Sequence, residues 1–80
     1  MKFFYVYILE SATDRAFYVG ITEDLRVRLK KHNAGEVSHT AKYCPWRIKT
    51  AFAFTDKKRA IDFERYLKSS SGRAFSKERL

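Results

Sequence analysis

The sequence predicts a small α+β domain with one three-stranded sheet, mixed or antiparallel, flanked by helices in the order β-β-α-β-α-α. Three observations predict it. Two runs of β-branched and aromatic residues near the start are separated by "SATDR", a stretch of turn composition. A third run, "WRIKTAFAF", sets Trp46 and Ile48, then Phe52 and Phe54, at a spacing of two. Between and after these runs lie two stretches with apolar residues at helical spacing.

The first element is "KFFYVYILE". Its near-continuous apolar character reads as a strand buried on both faces. After Ser11–Arg15 comes "AFYVGIT", a second strand expected to pair with the first as a hairpin. Thr22 is placed to cap the helix that follows. Glu23 and Asp24 suit its first turn, Lys30 and Lys31 its last, and Gly35 sits just past its end. A polar loop, "GEVSHTAKYCP", leads to the third strand. Thr55 is placed to cap a second long helix, "DKKRAIDFERYLKSS", which Gly72 breaks, and "RAFSKERL" forms one more short helix.

Both long helices carry polar groups where apolar ones are expected. Leu25 and Leu29 define one stripe, whose next position is His32, with Arg28 at its edge. On the second helix Ala60, Phe63 and Leu67 form an arc that contains Glu64. An unpaired ionised carboxylate on a buried face is costly, so Glu64 needs an arginine, a lysine or a metal ion. A salt bridge to Arg28 is the structural alternative. Convergence of Arg28, His32 and Glu64 on one side of the sheet points to a site. Tyr5 and Tyr7 share a strand face, and Tyr18 lies across the hairpin. Gly20 leaves a strand position with no side chain, as where a ligand or another backbone approaches closely.

Eighty residues make one domain, spanning 1–80, with 45% hydrophobic and 16% aromatic content, enough to bury a core. The single cysteine, Cys44, excludes an internal disulfide and a cysteine-based zinc site, and suits a reducing cytoplasm. The longest apolar run, Phe3–Leu9, is too short to span a membrane and lacks a signal-peptide cleavage pattern. Seventeen Lys and Arg against nine Asp and Glu give a net charge of +8. Such a surface attracts polyanions, nucleic acid foremost.

The spacing "YVY" (Tyr5–Val6–Tyr7), ten intervening residues, then "YVG" (Tyr18–Val19–Gly20) resembles the paired signature of the GIY-YIG nuclease superfamily. Arg28 in the helix after the second motif, His32 one turn later and Glu64 on the next long helix match the family's further positions. The resemblance runs from Lys2 to about Phe75 and is to the small stand-alone bacterial members. It extends to the nuclease domain of the excinuclease C subunit. The chain departs from the pattern with Tyr5 in place of glycine, Val19 in place of isoleucine, and no asparagine beyond Asn33.

The resemblance implies hydrolysis of DNA phosphodiester bonds with one Mg²⁺ (or Mn²⁺) held by Glu64, in DNA repair or processing. Arg28 would stabilise the charge of the transition state. Tyr7 would be general base toward the attacking water. A phenol is a poor base at neutral pH, and a neutral His32 imidazole would accept its proton. Tyr18 would orient the water or the phosphate, with Tyr5 and Gly20 in support. Lys30, Lys31, Lys42, Arg47, Lys68 and Arg73 are candidates for contacts to the DNA backbone. His39, Thr40 and Tyr43 are candidates to line the groove. Two other readings are a nucleic-acid-binding domain of the same fold with little or no cleavage activity, and a basic domain that binds protein.

Overall fold

The run that reads as buried on both faces forms the middle of the sheet. In the computed structural model, which describes residues 2–80, β1 (Phe4–Ser11) lies between β2 (Phe17–Thr22) and β3 (Trp46–Phe54). Both pairings are antiparallel, and Tyr7 stands opposite Gly20 on one side and Ala51 on the other. The helices are α1 (Leu25–Asn33), α2 (Lys57–Lys68) and α3 (Ser70–Arg79), with a short 3₁₀ turn at Ala41–Tyr43. The element order is the β-β-α-β-α-α that the sequence predicts.

Strand alternation splits the interior into two clusters. Val6 and Ile8 pack with Ala60 and Leu67 of α2, backed by Val19, Phe63 and Phe75. Tyr7 and Leu9 turn the other way, join Trp46, and meet Leu25 and Leu29 of α1 together with Tyr18 and Tyr43. The two long helices therefore cover opposite faces of the sheet. This corrects the expectation that Arg28, His32 and Glu64 converge from one side. Arg28 and His32 come from the Tyr7 face, whereas Glu64 comes from the helix on the Val6 face.

The helix boundaries also differ from those read in the sequence. Asp24 caps α1 by accepting from Val27 N at 3.1 Å, and Thr22 instead bonds the Asp24 backbone. Asp56 caps α2 through Lys58 N at 2.9 Å, in place of Thr55. In both cases a carboxylate, the stronger acceptor, lies closer to the first turn than the threonine and takes the free backbone amides. Gly72 does not break the second helix. The break falls at Ser69, extended at φ −80° and ψ 167°, whose hydroxyl accepts from Gly72 N and so starts α3. At the end of α1 the expected glycine does its work. Gly35, at φ 75°, closes the helix as its amide and that of Glu36 bond back to the carbonyls of His32 and Lys31.

The loop from Gly35 to Pro45 is pinned at both ends. Asn33 donates to Trp46 O at 3.0 Å and accepts from Trp46 N. Trp46 in turn donates its indole N–H to Thr40 O at 2.9 Å. The loop is thereby held against α1, where the functional side chains lie.

Candidate active site

The site begins with a missing side chain. A Cβ at Gly20 would collide with the Tyr7 ring and its hydroxyl. The space that the glycine leaves is filled by Tyr7 itself rather than by a ligand or a backbone, which refines the sequence reading. With nothing in its way, the Tyr7 ring lies across β2 and is 2% exposed.

Its hydroxyl has two partners, both from α1. Tyr7 Oη is 3.0 Å from His32 Nε2 and receives the Arg28 Nε–H at 3.4 Å. Arg28 and His32 are four apart and so lie on one helical face. His32 is fully buried, and its other nitrogen, Nδ1, is 2.8 Å from Thr40 Oγ1. The Thr40 hydroxyl donates its one proton to Val37 O at 3.2 Å. It therefore accepts from His32, which places the imidazole proton on Nδ1 and leaves Nε2 as an acceptor. Tyr7 must then donate to Nε2. The resulting chain has one direction: Tyr7 O–H to His32 Nε2, His32 Nδ1–H to Thr40 Oγ1, and Thr40 O–H to Val37 O.

Electrostatics keep the chain in this state. Burial pushes the Tyr7 phenol above its ordinary value, opposed by the hydrogen bond from Arg28, while the Glu64 charge acts in the same direction as burial. Burial, and then the Arg28 charge, holds His32 below its ordinary value. The hydrogen bond with Tyr7 keeps the Arg28 guanidinium firmly protonated. At neutral pH the phenol is protonated and the imidazole is neutral.

Tyr18 closes the aromatic wall. Its ring centroid lies 5.0 Å from that of His32 and 6.3 Å from that of Tyr7. Glu64 does not pair with Arg28. Its Oε2 lies 3.1 Å from Lys68 Nζ, one turn along α2, with the carboxylate side chain 18% exposed. Lys68 also stands 5.9 Å from the centroid of the Tyr18 ring. This carboxylate thus stands toward the β2 edge, near enough for its charge to act on Tyr7 from the opposite helix layer. Among the described residues no group of three or more His, Cys, Asp or Glu side chains is placed to hold a metal ion. Glu64 alone offers a partly exposed hard oxygen, which fits a Mg²⁺ ion that keeps most of its waters.

The remaining sequence candidates divide. Tyr5 packs beside Phe3, at 6.2 Å between centroids, and has no hydrogen bond to Tyr7. Lys30, Lys31 and Lys42 are exposed on the α1 side. Arg47 follows Trp46 on β3, so it projects from the Val6 face, where it is ion-paired with Glu10 at 3.1 Å and stays exposed. Lys68 and Arg73 border a groove on that same Val6 face. His39 is exposed, and Tyr43 packs edge-on to Trp46. Thr40 does not line a groove. It is 1% exposed and fixes His32. Sequence reasoning missed this role, and the Asn33 clasp, because neither follows a spacing rule. A buried histidine's need for a second partner is the one signal that pointed to a nearby hydroxyl.

A sheet that presents two tyrosines, with an arginine and a histidine one turn apart on the covering helix and a glutamate on the next long one, defines a GIY-YIG domain. The GIY-YIG catalytic domain model matches residues 3–79, and the chain belongs to this family of nucleases. Within it, the chain is similar to UPF0213 proteins. It is 40% identical to one from Lacticaseibacillus paracasei over 68 residues, covering 84% of this chain and 75% of that protein. It is 39% identical to one from Halalkalibacterium halodurans, covering 86% and 73%. The solution NMR structure of a Bacillus halodurans UPF0213 protein superposes with a TM-score of 0.57 at 35% identity, covering 96% of this chain and 81% of that one. No helix among the described residues is long and apolar enough to cross a membrane.

Proposed function

We propose that this chain is a DNA endonuclease that hydrolyses phosphodiester bonds with one divalent metal ion, in repair or processing of DNA. The observation that carries this reading is the Tyr7 hydroxyl, held between Arg28 and a His32 whose Nε2 is free to accept a proton. A water beside Tyr7 would lose a proton to the phenolic oxygen while the phenol passes its own to His32. The phenol is neutral before and after, so its raised pKa is no obstacle, and His32 is the net acceptor. The water oxygen forms the new bond to phosphorus, and the bond to the leaving sugar oxygen breaks. Arg28 engages Tyr7 through Nε and also interacts with Tyr18, and the remaining donors of its guanidinium fork suit phosphate oxygens. Glu64 would hold Mg²⁺ or Mn²⁺, which supplies Lewis-acid stabilisation of charge on the phosphate and the leaving oxygen. Tyr18, packed beside both Tyr7 and His32, would orient the water or the phosphate. The net charge of +8, with exposed Lys30, Lys31 and Lys42 on the α1 side, supports binding to the DNA backbone.

One observation favours the second reading, a DNA-binding domain that does not cut: Lys68 is ion-paired with Glu64, the carboxylate proposed to hold the metal. The Glu64→Gln variant separates the two. A partly exposed i,i+4 pair contributes at most about 1 kcal/mol to stability, so the variant should melt close to the unaltered protein. Plasmid cleavage in Mg²⁺ or Mn²⁺ should fall by orders of magnitude, with DNA binding in EDTA preserved. If the unaltered protein binds DNA and leaves it uncut with either metal, the second reading holds.

A further inference from the structure

On the Val6 face, between the sheet and the α2–α3 corner, runs an open groove of about 720 Å³ that the mechanism above does not use. Its volume is within the range of roughly 300–1,000 Å³ typical of small-ligand sites. The floor is apolar, made by Ile8, Val19 and Leu67. One wall carries Phe17, an edge-strand phenylalanine left 55% exposed. Lys49, Lys68, Arg73 and Lys77 border it, and none of its lining residues is acidic among those described. Lys49 stands 5.0 Å from the centroid of the Phe17 ring. Tyr18 and Lys68 belong to both this groove and the site around Tyr7, so the two are continuous past the β2 edge.

An apolar floor with one exposed aromatic ring calls for a flat, apolar-faced group. Lys68 is paired with Glu64, but among the described residues Lys49, Arg73 and Lys77 have no counter-charge, and three such cations call for an anion attached to that group. We infer that the groove takes an unpaired nucleotide of the DNA strand leaving the catalytic site, its base against Phe17 and its phosphates along Lys49, Lys68, Arg73 and Lys77. A paired base presents no free face to such a groove, whereas an unpaired strand combines stackable bases with a charged backbone. The inference rests on the endonuclease reading and narrows its substrate to DNA in which duplex meets single strand.

The test compares two fluorescent probes in EDTA by anisotropy: a blunt duplex, and the same duplex with an unpaired thymidine arm. The armed probe should bind about tenfold tighter, the order of effect of stacking one base. Phe17 is exposed, so Phe17→Ala leaves the core intact. It should remove most of that preference while blunt-duplex affinity changes less than about twofold. Equal affinity for the two probes, or equal weakening of both by Phe17→Ala, overturns the inference. The endonuclease reading then stands if the blunt duplex is still cut in Mg²⁺. Failure of the unaltered protein to bind either probe overturns both. Decanoate that shifts the NMR signals of Phe17 and Val19 without displacing the arm would assign the groove to an anionic amphiphile and overturn the inference as well.

Discussion

On one face of β1, Val6 and Ile8 meet Ala60 and Leu67 in a wholly apolar buried cluster. On the other, two residues of the same strand, Tyr7 and Leu9, are as deeply buried, but Tyr7 brings a hydroxyl that enters a chain of directed hydrogen bonds. Both faces are buried, and the difference lies in what each asks of its residues. The apolar face needs volume and shape, which many side chains supply. The polar face needs one proton in each of three places, which only particular side chains supply. It meets that demand in full: no buried side-chain nitrogen or oxygen among the described residues lacks a partner. One face should therefore report on stability and the other on chemistry.

The largest effects should separate along that line. Tyr7→Phe keeps the ring over Gly20 and removes the proton carrier. Cleavage should drop by about 10²–10⁴-fold, the usual share of general base catalysis, while the protein still folds. Val6→Ala, on the other face, should lower unfolding free energy by about 1.5–3 kcal/mol, with cleavage per folded molecule little changed. Paired melting curves and single-turnover rates check both. Should Val6→Ala abolish cleavage in a sample that is still folded, the faces are not independent.

A smaller effect tests how the polar face is held. Thr40→Val keeps the shape and leaves the buried His32 Nδ1–H without its acceptor, at a cost of about 1–3 kcal/mol. Denaturant titration reads the loss. Cleavage should fall as well, less than in Tyr7→Phe, because His32 is then free to put its proton on Nε2. The smallest effect should be that of Arg47→Ala. Arg47 is paired with Glu10 and projects from the face opposite Tyr7. The slope of log affinity for blunt duplex against log salt should be unchanged. Lys31→Ala, by comparison, should reduce it by about one.

The apolar face was the more legible one in the sequence. The apolar run of β1, the β-branched and aromatic run "AFYVGIT" and the alternation in Trp46–Phe54 named all three strands, because strand burial leaves its mark in the local apolar pattern. The oddities on the helices, His32 and Arg28 among leucines and Glu64 in an apolar arc, marked polar groups that the fold brings within reach of Tyr7. Their arrangement was not legible. Helical spacing says which residues share a face of one helix, and nothing about which face of the sheet that helix covers. Glu64 therefore acts on Tyr7 from the helix layer opposite Arg28 and His32, which its spacing did not show. The pairing of Arg47 with Glu10 was not legible either, because charge alone does not show that Glu10 stands opposite it across the sheet. Thr40 was read as a loop residue because its role depends on the fold of Gly35–Pro45, which the Asn33–Trp46 clasp sets and no local pattern encodes.

The central claim is the direction of the proton chain through His32, and ring-nitrogen NMR on ¹⁵N-histidine protein reads it directly. The sign of the pH dependence follows from burial. With its pKa held below 6.5 in the folded protein, His32 stays neutral as pH falls past that value, while the unfolded chain takes up a proton. Folding stability from this group is therefore intact above pH 6.5 and declines from there as pH falls toward the folded value. At pH 7 the spectrum should show a single neutral form, protonated at Nδ1 and bare at Nε2, that persists below pH 6.5 and becomes mixed in Thr40→Val. A neutral ring protonated at Nε2, or an imidazolium at pH 7, would contradict the account, because Tyr7 would then have nowhere to send its proton.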